Sequence, residues 1–395
     1  MCKITNLQSM NSDTGTQNNI KNINEYGASY QQILDEISNL KTTGGIYNTS
    51  VSRQAIINSN FDIWQNGTSF TNPTTGSYTA DMYQAAFENT GTLPTTLIHS
   101  RQAVTPGDLD KSFYFYRLNT NGAGSGFGTN DNYRVFQNYI ENGTRYLAGA
   151  SKEITISFYA KSSISDKKLG LGCLQTYGTG GSPSSTEILT GTSFTLTSSW
   201  VKYSFTFTVN TLTGKTFGTD NNDYFLLFLG VMWGTAYGAS VFGGAASSDF
   251  QGSGNIDIAQ LQLSSGGEVL DFMPKSFAQE LRDCQRYYEK SFGYATTPAQ
   301  NAGFDHAEGG VAIWNATFIS DKVRFKITKR IAPTMTLYNP ANTNAHLRNA
   351  ATSADLSGSV TTQVTPDSFR FYGVGDAGMA LGDNIYVAWT ADARF

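Results

Sequence analysis

The sequence predicts an all-β protein, and three observations carry that prediction. Two segments, Glu153–Lys161 and Val201–Val209, alternate apolar and polar residues with period two. Aromatic residues make up 13% of the chain, with 25 Phe and 21 Tyr, and these fit pleated, half-buried surface. Forty glycines against nine prolines, with abundant Ser, Thr and Asn, supply turns. At 395 residues the chain exceeds the roughly 250–300 at which one hydrophobic core stops growing, so more than one domain is expected.

The elements follow in order. Residues 1–20 are polar and read as a flexible arm or a segment ordered by a partner. Ile23, Tyr26, Tyr30, Ile33, Ile37 and Leu40 are then spaced three and four apart, an a/d seam closed by Gly44-Gly45. Isoleucine at both seam positions favours three or four strands over two; a single helix docked on its own chain is the alternative. Residues 1–53 are therefore expected to form an attachment arm and helix.

From about residue 54 the period is two. In Glu153–Lys161, Ile154, Ile156, Phe158 and Ala160 face one way. In Val201–Val209, Val201, Tyr203, Phe205, Phe207 and Val209 do the same. Tyr224–Trp233 is an unbroken run of ten apolar residues, half of what a membrane helix needs, and reads as a strand buried on both faces. In Asn255–Leu263 the apolar parity slips from Ile256 and Ile258 to Leu261 and Leu263, which a β-bulge would produce. Asn-Gly pairs at Asn66, Asn121 and Asn142 mark tight turns. Many strands with long Gly/Ser loops over residues 54–275 predict a two-sheet jelly roll. Ser276 to Gln279 has capping-box spacing, and Phe277, Leu281, Cys284 and Tyr288 fall on one face, predicting a connecting helix over 276–292. New alternating segments over 293–395 predict a smaller C-terminal β-sandwich, whose ending almost inside its last strand suits a distal tip.

Composition also excludes. A formal net charge of −4 with 27 basic residues argues against binding nucleic acid through phosphate contacts. The N-terminus has no apolar signal core, and no segment suits membrane insertion. Cys2, Cys173 and Cys284 are odd in number and far apart, fitting neither a disulfide framework nor a zinc site. Synthesis and folding in a reducing cytoplasm are the expectation.

Three groups of segments share a resemblance: NSNFDIWQNGTSF (58–70) with YTADMY (78–83), EITISFYAKS (153–162) with SWVKYSFTFT (199–208), and 257–291, which contains QELRDCQRYY (279–288). Their order and spacing resemble the carbohydrate-binding-module-like jelly roll of tail fibres and other virion appendages of tailed bacteriophages. The C-terminal unit, with VRFKITKR (323–330), APTMTLY (332–338) and Ala391-Asp-Ala, resembles the small β domain that follows in such proteins. The resemblance implies a fold and a virion setting, with other virion proteins held through the N-terminal region and, taken together with the Ile23–Leu40 seam, a homotrimer. It supplies no catalytic residue. It also implies that a structural calcium is common in such jelly rolls; no dense oxygen-ligand loop stands out here, so no cofactor or metal is assigned.

The residues offer little catalytic chemistry. The histidines are His99, His306 and His346. Asp305-His306-Ala-Glu308 reads as a solvated loop rather than a metal or acid/base cluster, and Asp108 and Asp110 as turn residues after Pro106-Gly107. No nucleophile elbow or phosphate-binding glycine loop occurs. Trp64, Trp200 and Trp314 sit within apolar alternation and read as core. Tyr177, Trp233, Tyr237, Tyr338 and Tyr372 adjoin Gly-, Ser- or Asn-rich loops, where flat rings beside hydroxyls and amides suit sugars. The expectation is a non-enzymatic tail-fibre or receptor-binding protein that binds host surface polysaccharide without cleaving it, a reading that an exposed ring cluster near residues 338 and 372 would favour. A purely structural virion protein and a capsule-degrading hydrolase are the alternatives.

Overall fold

The computed structural model describes residues 54–395, apart from 314–316 and 376–377. The seam from Ile23 to Leu40, Cys2 and Trp314 lie outside the described residues. The first lobe is built from β1 (Ser69–Thr71), β2 (Gln84–Glu88), β3 (Leu97–Ala103), β4 (Tyr114–Asn121), β5 (Asn132–Glu141), β6 (Glu153–Ser162), β7 (Lys168–Gln175), β8 (Glu187–Thr195), β9 (Val201–Thr208), β10 (Tyr224–Trp233) and β11 (Ser253–Ser265). One sheet has the order β1-β3-β4-β11-β6-β9 and the other β2-β5-β10-β7-β8. From β4 onwards the chain changes sheet at every step except the β7–β8 hairpin. The resulting orders, 4-11-6-9 facing 5-10-7-8, are the two interlocked Greek keys of a jelly roll.

The alternation places side chains as expected where a strand is central and only partly at an edge. Ile154, Ile156, Phe158 and Ala160 on β6 are fully buried. On the edge strand β9, Phe207 is buried while Tyr203 and Phe205 are half-covered and Val201 is exposed. β10 is buried on both faces: Phe225, Leu227, Leu229 and Val231 enter the sandwich core, and Leu226, Phe228 and Trp233 pack outside it against Val241 and Phe242. Phe242 lies so close to the sheet that a Cβ on Gly170 or Gly230 would stand 2.6 Å from its ring. The expected bulge is present. Ala259 pairs with Tyr159 and Gln262 with Ser157, leaving one extra residue on β11, with Gln260 at φ 53°.

Ser276 does cap the following helix, its hydroxyl accepting the Gln279 N–H at 3.3 Å. The helix is shorter than expected. It spans Phe277–Gln285, and the chain then enters β12 (Tyr288–Lys290), so Tyr288 belongs to a strand and not to the helix stripe. The reason is pairing: β12 finds an open edge on the final strand. The second lobe therefore draws its first strand from before residue 293. It continues with β13 (Glu308–Val311), β14 (Thr317–Ile319), β15 (Val323–Arg324), β16 (Thr334–Tyr338), β17 (Arg348–Asn349), β18 (Ala354–Asp355), β19 (Ser357–Thr362), β20 (Ser368–Val374) and β21 (Asn384–Asp392). β21 is the hub, pairing with β12, β13, β16 and β17, while β20 pairs with β14, β15 and β19. The two sheets enclose a core around Phe318, Phe325, Leu347, Phe369, Phe371 and Trp389. This is the smaller β-sandwich.

Polar and aromatic contacts weld the lobes. Arg286 donates from Nε and Nη2 to the two oxygens of Glu141 at 2.8 and 2.6 Å, and the Tyr287 hydroxyl donates to the same carboxylate at 2.6 Å. Arg330 donates to the Asn222 side chain. The Phe395 ring stacks on Tyr139 with centroids 4.9 Å apart.

Candidate functional site

A cleft of about 1050 Å³ lies where the lobes meet. Its floor is a direct product of strand register. Tyr288, Asp392 and Thr334 are aligned across β12, β21 and β16, and one step along, Lys290, Thr390 and Thr336 are aligned too. Because side chains alternate, Thr334, Thr336 and Tyr338 share one face of β16, and Thr390 and Asp392 share that face of β21. The intervening Leu337, Trp389 and Ala391 point the other way, into the core. The opposite wall comes from the jelly roll: Ser69, Phe70 and Thr71 of β1, and the loop through Pro73 and Tyr78.

The cleft is an aromatic and hydroxyl surface. Phe70, Tyr78 and Tyr338 are half-buried rings that line it, and Ser69, Thr71, Thr334 and Thr336 are exposed hydroxyl residues beside them. Tyr338 is held edge-on against Phe292, with ring centroids 5.3 Å apart. At the base, Arg394 lies over the Tyr78 ring at 3.9 Å and the Tyr288 ring at 4.6 Å. Its Nε donates to Asp392 Oδ1 at 2.9 Å, and its Nη2 to Oδ2. Burial opposes the guanidinium charge, yet the Asp392 carboxylate holds its pKa above the ordinary arginine value. Burial pushes the Tyr78 and Tyr288 phenols up, so both are neutral donors at physiological pH. The Tyr78 hydroxyl donates to the Phe395 carbonyl at 3.1 Å. Behind the floor, Lys290 donates to the carbonyls of Gln65, Tyr294 and Thr296, and burial lowers its pKa to about 8.

Of the five rings expected to touch a ligand, Tyr338 alone lines this cleft. Tyr177 and Trp233 are buried, each about 1% exposed, and present no face to a sugar. The Tyr177 hydroxyl donates to Glu187 and accepts from Gln175 at 2.8 Å, which ties the loop after β7 to β8. Trp233 donates to the Ala246 carbonyl at 2.9 Å beneath the short helix Thr235–Val241. Tyr237 is half-buried against Phe242 on that helix. Tyr372 lies on β20, paired with Ile319 and Val360, in the sheet opposite the one that carries Tyr338. The cluster of rings 338 and 372 that would have favoured an adhesin is therefore not formed. Proximity to a Gly-rich loop does not distinguish a ring that closes a loop from one that lies upon it. Phe70, Tyr78 and Tyr288 were missed as site residues because the cleft joins segments more than two hundred positions apart.

The remaining candidates fall outside a reactive centre. His99 is fully buried between the hydroxyls of Tyr116 at 2.7 Å and Tyr133 at 3.0 Å, and burial lowers its pKa to about 3. His306 packs at a tilt against Phe292, with ring centroids 5.4 Å apart. Cys173 and Cys284 are buried free thiols whose pKa values burial raises. Among the described residues, no three His, Cys, Asp or Glu side chains gather in a way that could hold a metal.

No family model and no curated relative matches the sequence. Among solved structures, the chain is similar to one described as "CBM4 structure and function", at 14% identity and a TM-score of 0.29, over 53% of this chain and 99% of that one. It is similar to the N-terminal cellulose-binding domain of Cellulomonas fimi β-1,4-glucanase C, at 13% identity and a TM-score of 0.26, over 47% of this chain and 90% of that one. A family 11 carbohydrate-binding module from Clostridium thermocellum, in complex with a β-1,3-1,4-mixed-linked tetrasaccharide, matches at 14% identity and a TM-score of 0.27, over 51% of this chain and 99% of that one. The jelly-roll assignment itself rests on this chain's own strand order.

Proposed function

We propose that this protein binds a glycan in the cleft between its two lobes and releases it unchanged. One observation carries the reading: a groove of about 1050 Å³ lined by the half-buried rings of Phe70, Tyr78 and Tyr338 and by Ser and Thr hydroxyls from both walls. Rings cover the apolar C–H faces of a pyranose, and hydroxyls exchange hydrogen bonds with its rim. Among the described residues, Asp392 is the one acidic residue lining the groove, whereas glycosidic cleavage ordinarily uses two carboxylates. The setting on a phage virion appendage rests on the resemblance of the three segment groups. In that setting residues 23–40 trimerise the chain, the arm before them holds other virion proteins, and the ligand is a host surface polysaccharide. Three copies convert a weak site into firm attachment by raising effective concentration.

The test uses the full-length chain on a glycan array and on isolated host envelope polysaccharide, with Tyr338→Ala as the comparison and reducing sugar as the readout for cleavage. Binding that Tyr338→Ala abolishes, without sugar release, is the expected result. Binding unaffected by Tyr338→Ala moves the site elsewhere, and release of reducing ends makes the protein an enzyme.

A further inference from the structure

Among the described residues, the charged groups lining the cleft are Asp392 and Arg394, and they are not equivalent. The Arg394 side chain is 10% exposed and the Asp392 side chain 38%. The arginine lies behind, between the rings of Tyr78 and Tyr288, with its charge directed at the carboxylate. The carboxylate is the part that meets solvent. Its lone pairs can be counted. Oδ1 accepts two N–H groups, the Arg394 backbone amide at 3.0 Å and Nε at 2.9 Å. Oδ2 accepts one, from Nη2. A carboxylate has about four acceptor positions, so one remains, on Oδ2.

We infer that Asp392 is the specificity-determining residue of this cleft, accepting a hydroxyl of a neutral sugar at its free Oδ2 position and rejecting sugars that carry carboxylate, sulfate or phosphate. The inference rests on the cleft being the glycan site. Its chemistry is independent of which sugar binds. A hydroxyl donates to an ionised acceptor with roughly twice the strength of a neutral hydrogen bond. An anionic substituent brought to the same place meets a like charge, and Arg394, only 10% exposed and already donating from Nε and Nη2 to Asp392, offsets it only in part. The aligned row Tyr288, Asp392, Thr334 puts the carboxylate beside the Thr334 hydroxyl. A sugar edge therefore meets an ionised acceptor and a donor–acceptor hydroxyl on neighbouring strands. Arg394 acts as a positioning residue that fixes the carboxylate plane.

The experiment is a competition assay on the full-length chain, in which binding to whichever array glycan scores highest is displaced by neutral oligosaccharides and by the same backbones oxidised to uronates. Wild type should prefer the neutral form by about tenfold or more, the usual scale of one charge-assisted hydrogen bond. Asp392→Asn should narrow that preference to within about threefold, while Tyr338→Ala removes binding of both forms. The wild-type comparison needs no variant, so a misfolded Asp392→Asn protein does not spoil it. Equal displacement by neutral and anionic forms, with Tyr338→Ala still abolishing binding, overturns this inference and leaves the glycan site standing. Absence of any glycan binding overturns both.

Discussion

The Glu280 carboxylate accepts the backbone N–H of Asn58 at 2.7 Å, joining residues 222 positions apart in a buried setting. Around it, Asn58 uses its side chain to bind the Ile63 and Asp81 carbonyls and to accept the Ile63 N–H, holding itself at φ 58°. Asp81 in turn accepts from the backbone and side chain of Gln65, and Gln65 donates to the Tyr288 carbonyl. The segments 58–70, 78–83 and 279–288, which carry much of the sequence resemblance, thus meet in one polar network at the base of the jelly roll. Their shared pattern builds the joint between the lobes, and Phe70, Tyr78 and Tyr288 from these segments line the cleft beside it.

Glu280 is therefore predicted to matter as an acceptor rather than as a charge. Burial raises its pKa despite the Lys275 ammonium at 3.9 Å. Glu280→Ala leaves the Asn58 N–H buried without a partner and should cost about 2–4 kcal/mol, whereas Glu280→Gln keeps an acceptor and should cost about 1 kcal/mol. Urea titration of both variants measures the gap. Equal losses would mean that the ionised group itself is required.

What the sequence made legible divides along a physical line. Period-two alternation exposes which residues face inward, so the β6 core set, the doubly buried β10 and the bulge near Gln260 were all readable. The helix end was not. Phe277, Leu281, Cys284 and Tyr288 keep helical spacing, but Tyr288 is captured by the edge of β21, a partner a hundred residues downstream. The cleft was illegible for the same reason. Its walls come from β1 and from β12, β16 and β21, and a local pattern carries no information about which strand edges meet.

The two tyrosines expected to act alike should separate cleanly by experiment. Tyr177→Ala removes a ring packed against Phe217 and leaves Glu187 and Gln175 without a shared partner. It should lower stability by about 3–5 kcal/mol, in the range of large-to-small core substitutions, with glycan affinity unchanged in the folded fraction. Tyr338→Ala should do the reverse, lowering affinity with a stability loss of about 1 kcal/mol or less, as befits a half-exposed ring. Thermal melts beside array binding decide it. A Tyr177→Ala protein that melts like wild type would place that ring at the surface.

The bulge makes a prediction about chain length. Gln260 is the extra residue between Ala259 and Gln262, and its side chain anchors the loop at the Asp110 carbonyl and the Ser112 hydroxyl. Deleting it restores unbroken alternation with Ile258, Leu261 and Leu263 all still inward. The jelly roll should survive, losing about 2–4 kcal/mol for the two anchoring bonds and the Leu261 N–H bond to Ser59. Deleting Asp257 instead shifts one side of β11 by a residue and turns its inward set to the outer face, which should abolish folding. Circular dichroism and soluble yield compare the two. Equal behaviour would show that the bulge is not where the register is absorbed.

Asp62 supplies the pH dependence. Its Oδ1 is buried without a hydrogen-bond partner, and its Oδ2 has only a long contact of 3.4 Å from the Asn60 amide. Desolvation raises its pKa to about 6; the Asn60 hydrogen bond lowers it, Glu280 raises it and Arg101 lowers it. A carboxyl with a raised folded pKa favours the protonated form in the fold. Its contribution to stability is complete below the unfolded pKa near 3.9 and is lost as pH rises through about 6. Two units correspond to about 2.7 kcal/mol, which partial exposure reduces to roughly 1–2 kcal/mol. Asp62→Asn is neutral in both states and escapes the loss. Relative to wild type, Asp62→Asn should therefore gain about 1–2 kcal/mol between pH 4.5 and pH 8, whatever offset the substitution introduces at the lower pH. Urea titrations of both proteins at the two pH values test this directly. A difference that stays flat, or that widens in favour of wild type at pH 8, would mean that the Asp62 carboxylate is paired in solution rather than stranded.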